Sequence, residues 1–370
     1  MEKHSVTITI QIIQTSTREM VNMKKKLSAL LAAAMISGMV FGTGVMAVSN
    51  TSNTEPAASQ GMETSSNTAV EKAAPEKGSI VKVGLGNSSS IAASKDFDPE
   101  KGATAQADAI FAAVGLDKDG KIAAIQIDNA QTRVMYNPDG TLKTDLNQEP
   151  KTKRDLGPDY GMIKASKIGK EWFQQMDAFE AWMIGKTIDE VMAIPVMQKD
   201  ESHPAVPTEA DLVSSVTISI ESYQAAVKDA VESAIDVDGA DDVKLGIMVS
   251  VAKSKAKDGE KGAVAQMDTT AVAVAEKDGK LEEAVIDTVQ PKVEYDADGK
   301  VKSDKGAEIK TKQDLGDEYG MKKASKIGKE WYEQAKSLVE WMKGKTIDEI
   351  KAIKTEDKDG KKIPTEADLT

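Results

Sequence analysis

Hydroxyl side chains gather in one short segment, Asp211-Leu212-Val213-Ser214-Ser215-Val216-Thr217, which leads into a helix-patterned stretch from Glu221 to Ala234. A hydroxyl just upstream of a helix faces unpaired N–H groups and the positive end of the macrodipole, so Thr217 is suited to hold a phosphate ester. Ser219 is placed to cap the same helix. Other chemistries lack their residues. Cysteine is absent and histidine occurs only at His4 and His203, which removes the usual ligands of iron–sulfur, haem and zinc sites. A redox role therefore requires an organic cofactor, and no general-base histidine or nucleophilic cysteine points to a substrate of the chain's own.

Two further motifs fail on inspection. Asp117-Lys118-Asp119-Gly120, Asp236-Val237-Asp238-Gly239 and Asp296-Ala297-Asp298-Gly299 suggest calcium loops. With each glycine as the sixth loop position, the twelfth falls on Gln126, Leu245 and Lys305, where a bidentate glutamate is needed. All three are expected to be turns, and no metal is expected. Gly84-Leu85-Gly86 lacks the third glycine of a dinucleotide fingerprint and leads into Asn and Ser, and no Walker loop occurs.

The elements that must position the hydroxyl segment are written twice. Residues 151–194 return at 310–353 with 29 of 44 positions identical and a constant offset of 159, a period that fits a duplicated globular unit rather than a solenoid. Within the stretch, Ile168, Trp172, Met176, Phe179 and Met183 form an apolar helical stripe, matched by Ile327, Trp331, Ala335, Leu338 and Met342, which should face a sheet. Gly185 and Gly344 should end that helix, and Thr187 to Glu190 and Thr346 to Glu349 are capping boxes of a short one.

Before the helices come strand patterns. In copy one these are Ile80 to Val83, Ala103 to Val114, Lys121 to Ile127 after the Asp119-Gly120 turn, and Thr132 to Tyr136 as a separate edge strand. In copy two they are Val243 to Val251, Gly262 to Ala275 and Lys280 to Asp287 after Asp278-Gly279. A loop of unequal length follows each helical stretch, and His203 in copy one's loop is expected to be exposed and not a ligand. Ser214 to Ile220 reads as a short strand-like run. Glu221 to Ala234 is expected to bury Tyr223, Val227, Ala230, Val231 and Ala234. The fold class is α+β, two tandem copies of a small antiparallel sheet packed with helices, each copy burying its own core. The modules are expected to be 79–237 and 238–370, with the second expected to be cut short at its C-terminus.

Upstream, Met23 to Ala47 has three lysines, a small-residue apolar run and Val45-Met46-Ala47, the layout of a cleaved signal peptide. Residues 1–22 are an extension ahead of a normal signal start, which leaves His4 without functional meaning. No cysteine follows the apolar run, so no lipid anchor is expected. Residues 48–78, rich in Ser, Thr, Asn, Ala, Glu and Pro, are expected to be a disordered linker. The net charge is −12, and residues 1–47 carry five bases and two acids, which leaves about −15 on the processed chain. That balance argues against nucleic acid or an anionic membrane as partner.

Asp, two residues, Ser, two small residues, Thr and then a helix resembles the flavinylation motif of the FMN-binding domain family. The pattern YGM, ASKIGKEW, Q, W, GKTIDE is similar to its secreted members, among them duplicated extracellular electron-transfer flavoproteins of Gram-positive bacteria. The resemblance spans roughly Ser79 to Thr370. It implies FMN joined through a phosphoester to Thr217 by a separate magnesium-dependent flavin transferase that consumes FAD. It further implies a role for Asp211 in recognition or positioning, and an acceptor loop lined by Ser214 and Ser215. The family usually has Ser-Gly-Ala-Thr where this chain has Ser214-Ser215-Val216-Thr217, which sets a bulkier valine and an extra hydroxyl beside the acceptor. Thr370 aligns with Val213, so copy two as given contains no acceptor.

The expectation is then a secreted or cell-envelope-associated covalent flavoprotein. It would relay electrons in extracellular electron transfer between a membrane redox donor and an external acceptor, a carrier rather than an enzyme. Tethering suits that setting, because a dissociable flavin would be lost by dilution outside a cell. An indole face can stack on an isoalloxazine ring, but tryptophans in an apolar helical stripe belong to the core. The alternative is a cofactor-free secreted module for partner binding or envelope structure, with Thr217 an ordinary β-branched residue and Asp211 an ordinary turn residue.

Overall fold

The computed structural model describes residues 72–325, 327–358 and 361–365. The upstream extension with His4, the signal peptide, linker residues 48–71 and the last five residues, Thr370 included, lie outside the described residues. The last part of the linker segment is tied to the fold: the Lys72 ammonium donates to the Ile125 carbonyl at 3.0 Å, and the Gly78 N–H donates to Asp241 Oδ1 at 2.9 Å.

Copy one opens with β1 (Ile80–Ser90), β2 (Lys95–Asp98), β3 (Gly102–Leu116) and β4 (Ile122–Tyr136). β3 and β4 form a long hairpin, since Asp117 Oδ1 accepts from the Asp119 and Lys121 N–H groups and Gly120 supplies a φ of 74°. Thr132 to Tyr136 continues β4 and is not a separate edge strand, because Thr132 pairs with Ala107 in unbroken register. β3 carries β4 on one edge and β2 and β1 on the other, all antiparallel.

The helical half follows. α1 (Lys153–Leu156) is capped by Thr152, α2 spans Trp172–Met183 and α3 (Ile188–Met192) starts at the Thr187 capping box. Glu171 caps α2 through a box with Gln174, so the apolar stripe begins at Trp172 and Ile168 lies ahead of it. Strands β5 (Val196–Met197) and β6 (Val206–Pro207) pair across the unequal loop. Ser214 to Ile220 is not a strand. Asp211 to Ser215 makes consecutive turns, in which the Ser215 and Val216 N–H groups both donate to the Leu212 carbonyl, and irregular backbone leads to α4 (Glu221–Glu232).

β7 (Ile235–Ala240) pairs with β1 and completes the first sheet. Asp236 to Gly239 therefore sits within a strand, not a turn. Its extra residues are taken up by a bulge between the Ile80 and Lys82 pairings, with Gly239 at φ 67°. Copy two then runs through β8 (Asp242–Ser250), β9 (Val264–Gln266), β10 (Asp268–Lys277), β11 (Lys280–Val289) and β12 (Lys292–Glu294). Its hairpin turns on Asp278 and Gly279, both at positive φ. The two 15-residue strands of copy one are each split here. Pro291 stands where copy one has Thr132 and lacks an N–H for the ladder, and the Met267 N–H donates to the Pro291 carbonyl instead. Helices α5 (Lys312–Leu315), α6 (Trp331–Met342) and α7 (Ile347–Lys351) repeat α1 to α3, and β13 (Thr355–Lys358) pairs with β14 (Lys361–Pro364).

Each copy buries a helix-side core of its own, but the copies also share an interior between their sheets. Ala109, Phe111 and Ala113 of β3 meet Val243, Val249, Ala271 and Ala273 of copy two in one cluster, and a second shared cluster joins Tyr136 and Val134 to Tyr295 and Val293. Alternate residues, Ile110, Ala112 and Val114, turn the other way onto α2 and α4, while Met248, Val272 and Ile286 meet α6. The result is four layers, helix, sheet, sheet, helix, with the small side chains between the sheets. Reciprocal contacts lock the copies: Phe97 N–H donates to the Gly299 carbonyl at 2.8 Å, and Lys257 N–H donates to the Gly140 carbonyl at 3.0 Å.

α4 lies flush on β1. A Cβ on Gly84 would stand 1.7 Å from the Ala230 carbonyl oxygen, and one on Gly86 would stand 2.1 Å from the Ala226 oxygen and 2.2 Å from the Ala230 nitrogen. The Gly-Leu-Gly sequence is a helix seat, with Leu85 buried on the opposite face.

Candidate functional site

The segment 211–217 is fastened at its two ends and at one internal hydroxyl. Leu212 and Val216 are buried in the helix-side core of copy one, 1% and 0% exposed. Between and beyond them the chain remains at the surface. Asp211 and Ser214 are exposed, and neither side chain forms a hydrogen bond or ion pair among the described residues. Ser215 is half-buried and its Oγ accepts from the Lys170 ammonium at 3.0 Å.

Thr217 is held by α2. Gln175, fully buried, accepts from the Thr217 N–H at 2.9 Å and from its hydroxyl at 3.3 Å through the same Oε1. The Gln175 amide is fixed in turn by donating from Nε2 to Ser166 Oγ and to the Lys170 carbonyl, both at 3.4 Å. An amide accepts a hydrogen bond but takes no proton at neutral pH, so Gln175 orients the hydroxyl and cannot activate it. Gln334 of α6 makes the same pair of Nε2 bonds, to Ser325 Oγ at 3.4 Å and the Lys329 carbonyl at 3.1 Å.

Two expectations about this loop change. Val216 is turned into the core, so this bulky residue does not crowd the neighbouring Thr217 hydroxyl. Ser219 does not cap the helix, because its Oγ accepts from the Ala205 N–H at 3.3 Å, while the N-cap of α4 is Ile220, with no side-chain bond. The helix start thus lacks a side-chain acceptor. His203 is at the surface, and its ring Nδ1 pairs with Asp200 Oδ1 at 2.7 Å. An open depression of about 420 Å³, lined by Asp236, Val237, Asp238, Glu282, Glu283 and Lys343, contains no residue of the loop.

Beside α2 lies a polar web that occurs in both copies. Asp108 accepts from Gln106 Nε2 at 2.7 Å and from Gln131 Nε2 at 2.8 Å, and the Tyr160 hydroxyl reaches Gln131 Oε1 at 3.4 Å. Lys153, 7% exposed, sets its ammonium 5.0 Å from the Tyr160 ring centroid and 5.4 Å from that of Trp172. In copy two Gln266, Asp268, Gln290, Tyr319, Lys312 and Trp331 repeat the arrangement, with Gln266 to Asp268 at 2.7 Å and Tyr319 to Gln290 at 3.1 Å. Trp172 is a core residue, 2% exposed and donating from its indole N–H to the Tyr223 hydroxyl at 2.9 Å. Nearby Asn129 Oδ1 and Thr132 Oγ1 are buried without a hydrogen-bond partner among the described residues.

Burial sets the proton affinities here. It pushes Asp128 up to about 6, against the opposing charge of Arg154, and Asp287 up to about 7. It lowers Lys153 and Lys312 to about 8. Both aspartates hold their proton to higher pH in the folded chain than in the unfolded one, so the stability they contribute is complete below about pH 4 and is lost as pH rises through 6 to 7. Both lysines act oppositely: their contribution is complete above about pH 10 and is lost as pH falls through 8. Thermal unfolding should therefore show a trough between pH 7 and 8, and Asp287→Asn should remove much of the fall in melting temperature from pH 5 to 7.5. An unchanged fall in the variant would contradict the assignment.

The hydroxyl-rich segment stands out in the sequence, but the two side chains that fasten it do not. Lys170 and Gln175 sit inside the repeated stretch and recur as Lys329 and Gln334, a signal masked by the many structural identities around them. No protein-family model, no curated protein and no solved structure matches the chain.

Proposed function

We propose that the chain is an extracytoplasmic electron carrier with FMN in phosphoester linkage to Thr217, installed by a separate flavin transferase. The observation that carries this reading is the grip of buried Gln175 on Thr217. An amide with no exposed surface is committed to orienting one hydroxyl at the edge of the fold, on a loop whose own core contacts are made by Leu212 and Val216. The residues suit the group. The hydroxyl is half-buried, an ammonium lies at the neighbouring Ser215, and the exposed Asp211 and Ser214 are free for contact with a modifying enzyme.

The flavin would supply the redox chemistry, accepting electrons from a membrane donor and passing them to an external acceptor. The chain's part is to hold the flavin by a bond that dilution cannot break and to fix the loop on α2. Asp211 and Ser214 serve recognition in this reading, Ser215 lines the loop, and Thr217 is the attachment point. No metal and no nucleic acid takes part, and the protein turns over no substrate of its own.

The test is chain exported from a host that co-expresses an active flavin transferase. Its visible flavin absorbance should stay with the polypeptide through guanidinium unfolding and desalting. Colourless chain, from a host in which a control acceptor is loaded, would reject the carrier and favour a cofactor-free binding module.

A further inference from the structure

We propose that Lys170 is the phosphate-pairing residue of the Thr217 site, meeting the anionic phosphorus group as it arrives on the hydroxyl and after it is attached. The inference rests on the flavinylation reading. Lys170 immediately precedes Glu171, the N-cap of α2, where a positive charge opposes the helix macrodipole. Its position is thus unfavourable for the helix, and no carboxylate compensates it. Among the described residues its ammonium bonds only the neutral Ser215 Oγ, at 3.0 Å and two residues from Thr217.

The carboxylates of its helix are bonded to other groups, and the exposed Asp211 makes no hydrogen bond or ion pair with it among the described residues. Glu171 accepts from the Met162 and Ile163 N–H groups at 2.8 and 3.1 Å, while Asp177 and Glu180 hold Arg154 at 2.7 and 2.6 Å. The repeat supplies a contrast. Lys329 bonds Ser337 Oγ of its own helix at 3.2 Å, whereas copy one has Ala178 at that position, so Lys170 reaches across to the acceptor loop. An ammonium without a carboxylate beside an oriented hydroxyl is matched by an incoming diphosphate.

The step it assists involves no oxidation or reduction. The Thr217 oxygen bonds the FMN-side phosphorus of FAD, and the bond from that phosphorus to the bridging oxygen breaks. AMP leaves with the bridging oxygen, and the hydroxyl proton passes to a base of the transferase. The resulting diester keeps one negative charge, which Lys170 neutralises.

Two measurements test this. The first needs no flavin: Thr217→Glu and Thr217→Gln are melted at low salt with Lys170 present and in a Lys170→Gln background. A carboxylate at 217 should melt about 2 °C or more above the amide when Lys170 is present, and the difference should vanish without it. The same difference in both backgrounds overturns the proposal. The second follows flavin loading by intact mass with purified transferase and FAD. Lys170→Gln should load about tenfold more slowly, with Lys170→Arg close to wild type, as for loss of one charge-assisted bond. Full-rate loading of Lys170→Gln overturns the role of Lys170 alone, whereas a wild-type chain that never loads overturns the covalent-flavin reading with it.

Discussion

Gly86→Ala should cost about 3 kcal/mol or more of folding stability and loosen the Thr217 loop, because the added methyl has nowhere to go. Its Cβ would lie 2.1 Å from the Ala226 oxygen and 2.2 Å from the Ala230 nitrogen, both backbone atoms of α4, so no side-chain rotation relieves the clash. The helix must lift as a body. With it would go Tyr223, which holds the Trp172 indole, and the irregular run from Val216 that joins Thr217 to the helix. Gly84→Ala should behave alike, with its Cβ 1.7 Å from the Ala230 oxygen. Denaturant unfolding of both variants checks this, and a loss below about 1 kcal/mol would show that α4 is not seated as described.

Arg154→Gln should cost about 3 kcal/mol, since it takes the guanidinium from the fully buried Glu180, leaving the Lys72 ammonium as its charged partner, and from the partly exposed Asp177. Glu180 is fully buried and is satisfied by Arg154 Nη2 at 2.6 Å, the Ile127 N–H at 2.6 Å and the Lys72 ammonium; Asp177 takes Arg154 Nη1 at 2.7 Å. Copy two shows what the site needs when the acid is absent. Gln313 replaces Arg154, Lys336 replaces Asp177 and Val339 replaces Glu180, and Gln313 donates to the Ile286 carbonyl at 3.0 Å. The double replacement Arg154→Gln with Glu180→Val should therefore recover most of the single-variant loss, as expected when a buried ion pair is exchanged for a neutral packing solution. Equal losses in the single and double variants would refute the network as the origin.

The sequence made some levels of this fold plain and hid others. Strand and helix periodicities marked β1, β3, β4, β8, β10, β11, α2 and α4, because each is long and half-buried against a neighbour, so its apolar residues recur at the period of its backbone. The sharing of one interior by two copies was not legible. Ala109, Ala113, Ala271 and Ala273 look like weak core residues individually, and only the facing sheet explains why small side chains suffice. Asp236 to Gly239 carried turn residues into a strand because a bulge needs the same backbone freedom as a turn. Ser214 to Ile220 alternated like a strand while having no neighbour to pair with, and its form is imposed by Gln175 and the buried Leu212 and Val216. Sequence order separates Lys170 and Gln175 from the loop residues they hold, Ser215 and Thr217, by 45 and 42 residues, so the pairing becomes visible only in the folded chain.

The central claim is that Thr217 carries the flavin. The most direct measurement is intact and proteolytic-peptide mass on chain from a host with an active flavin transferase, comparing wild type, Thr217→Ser and Thr217→Ala. One FMN-sized addition is expected on the peptide containing Thr217, kept in the serine variant, which preserves a hydroxyl, and absent in the alanine variant. An unmodified wild-type chain beside a loaded control acceptor, or an addition that persists in Thr217→Ala, would contradict it.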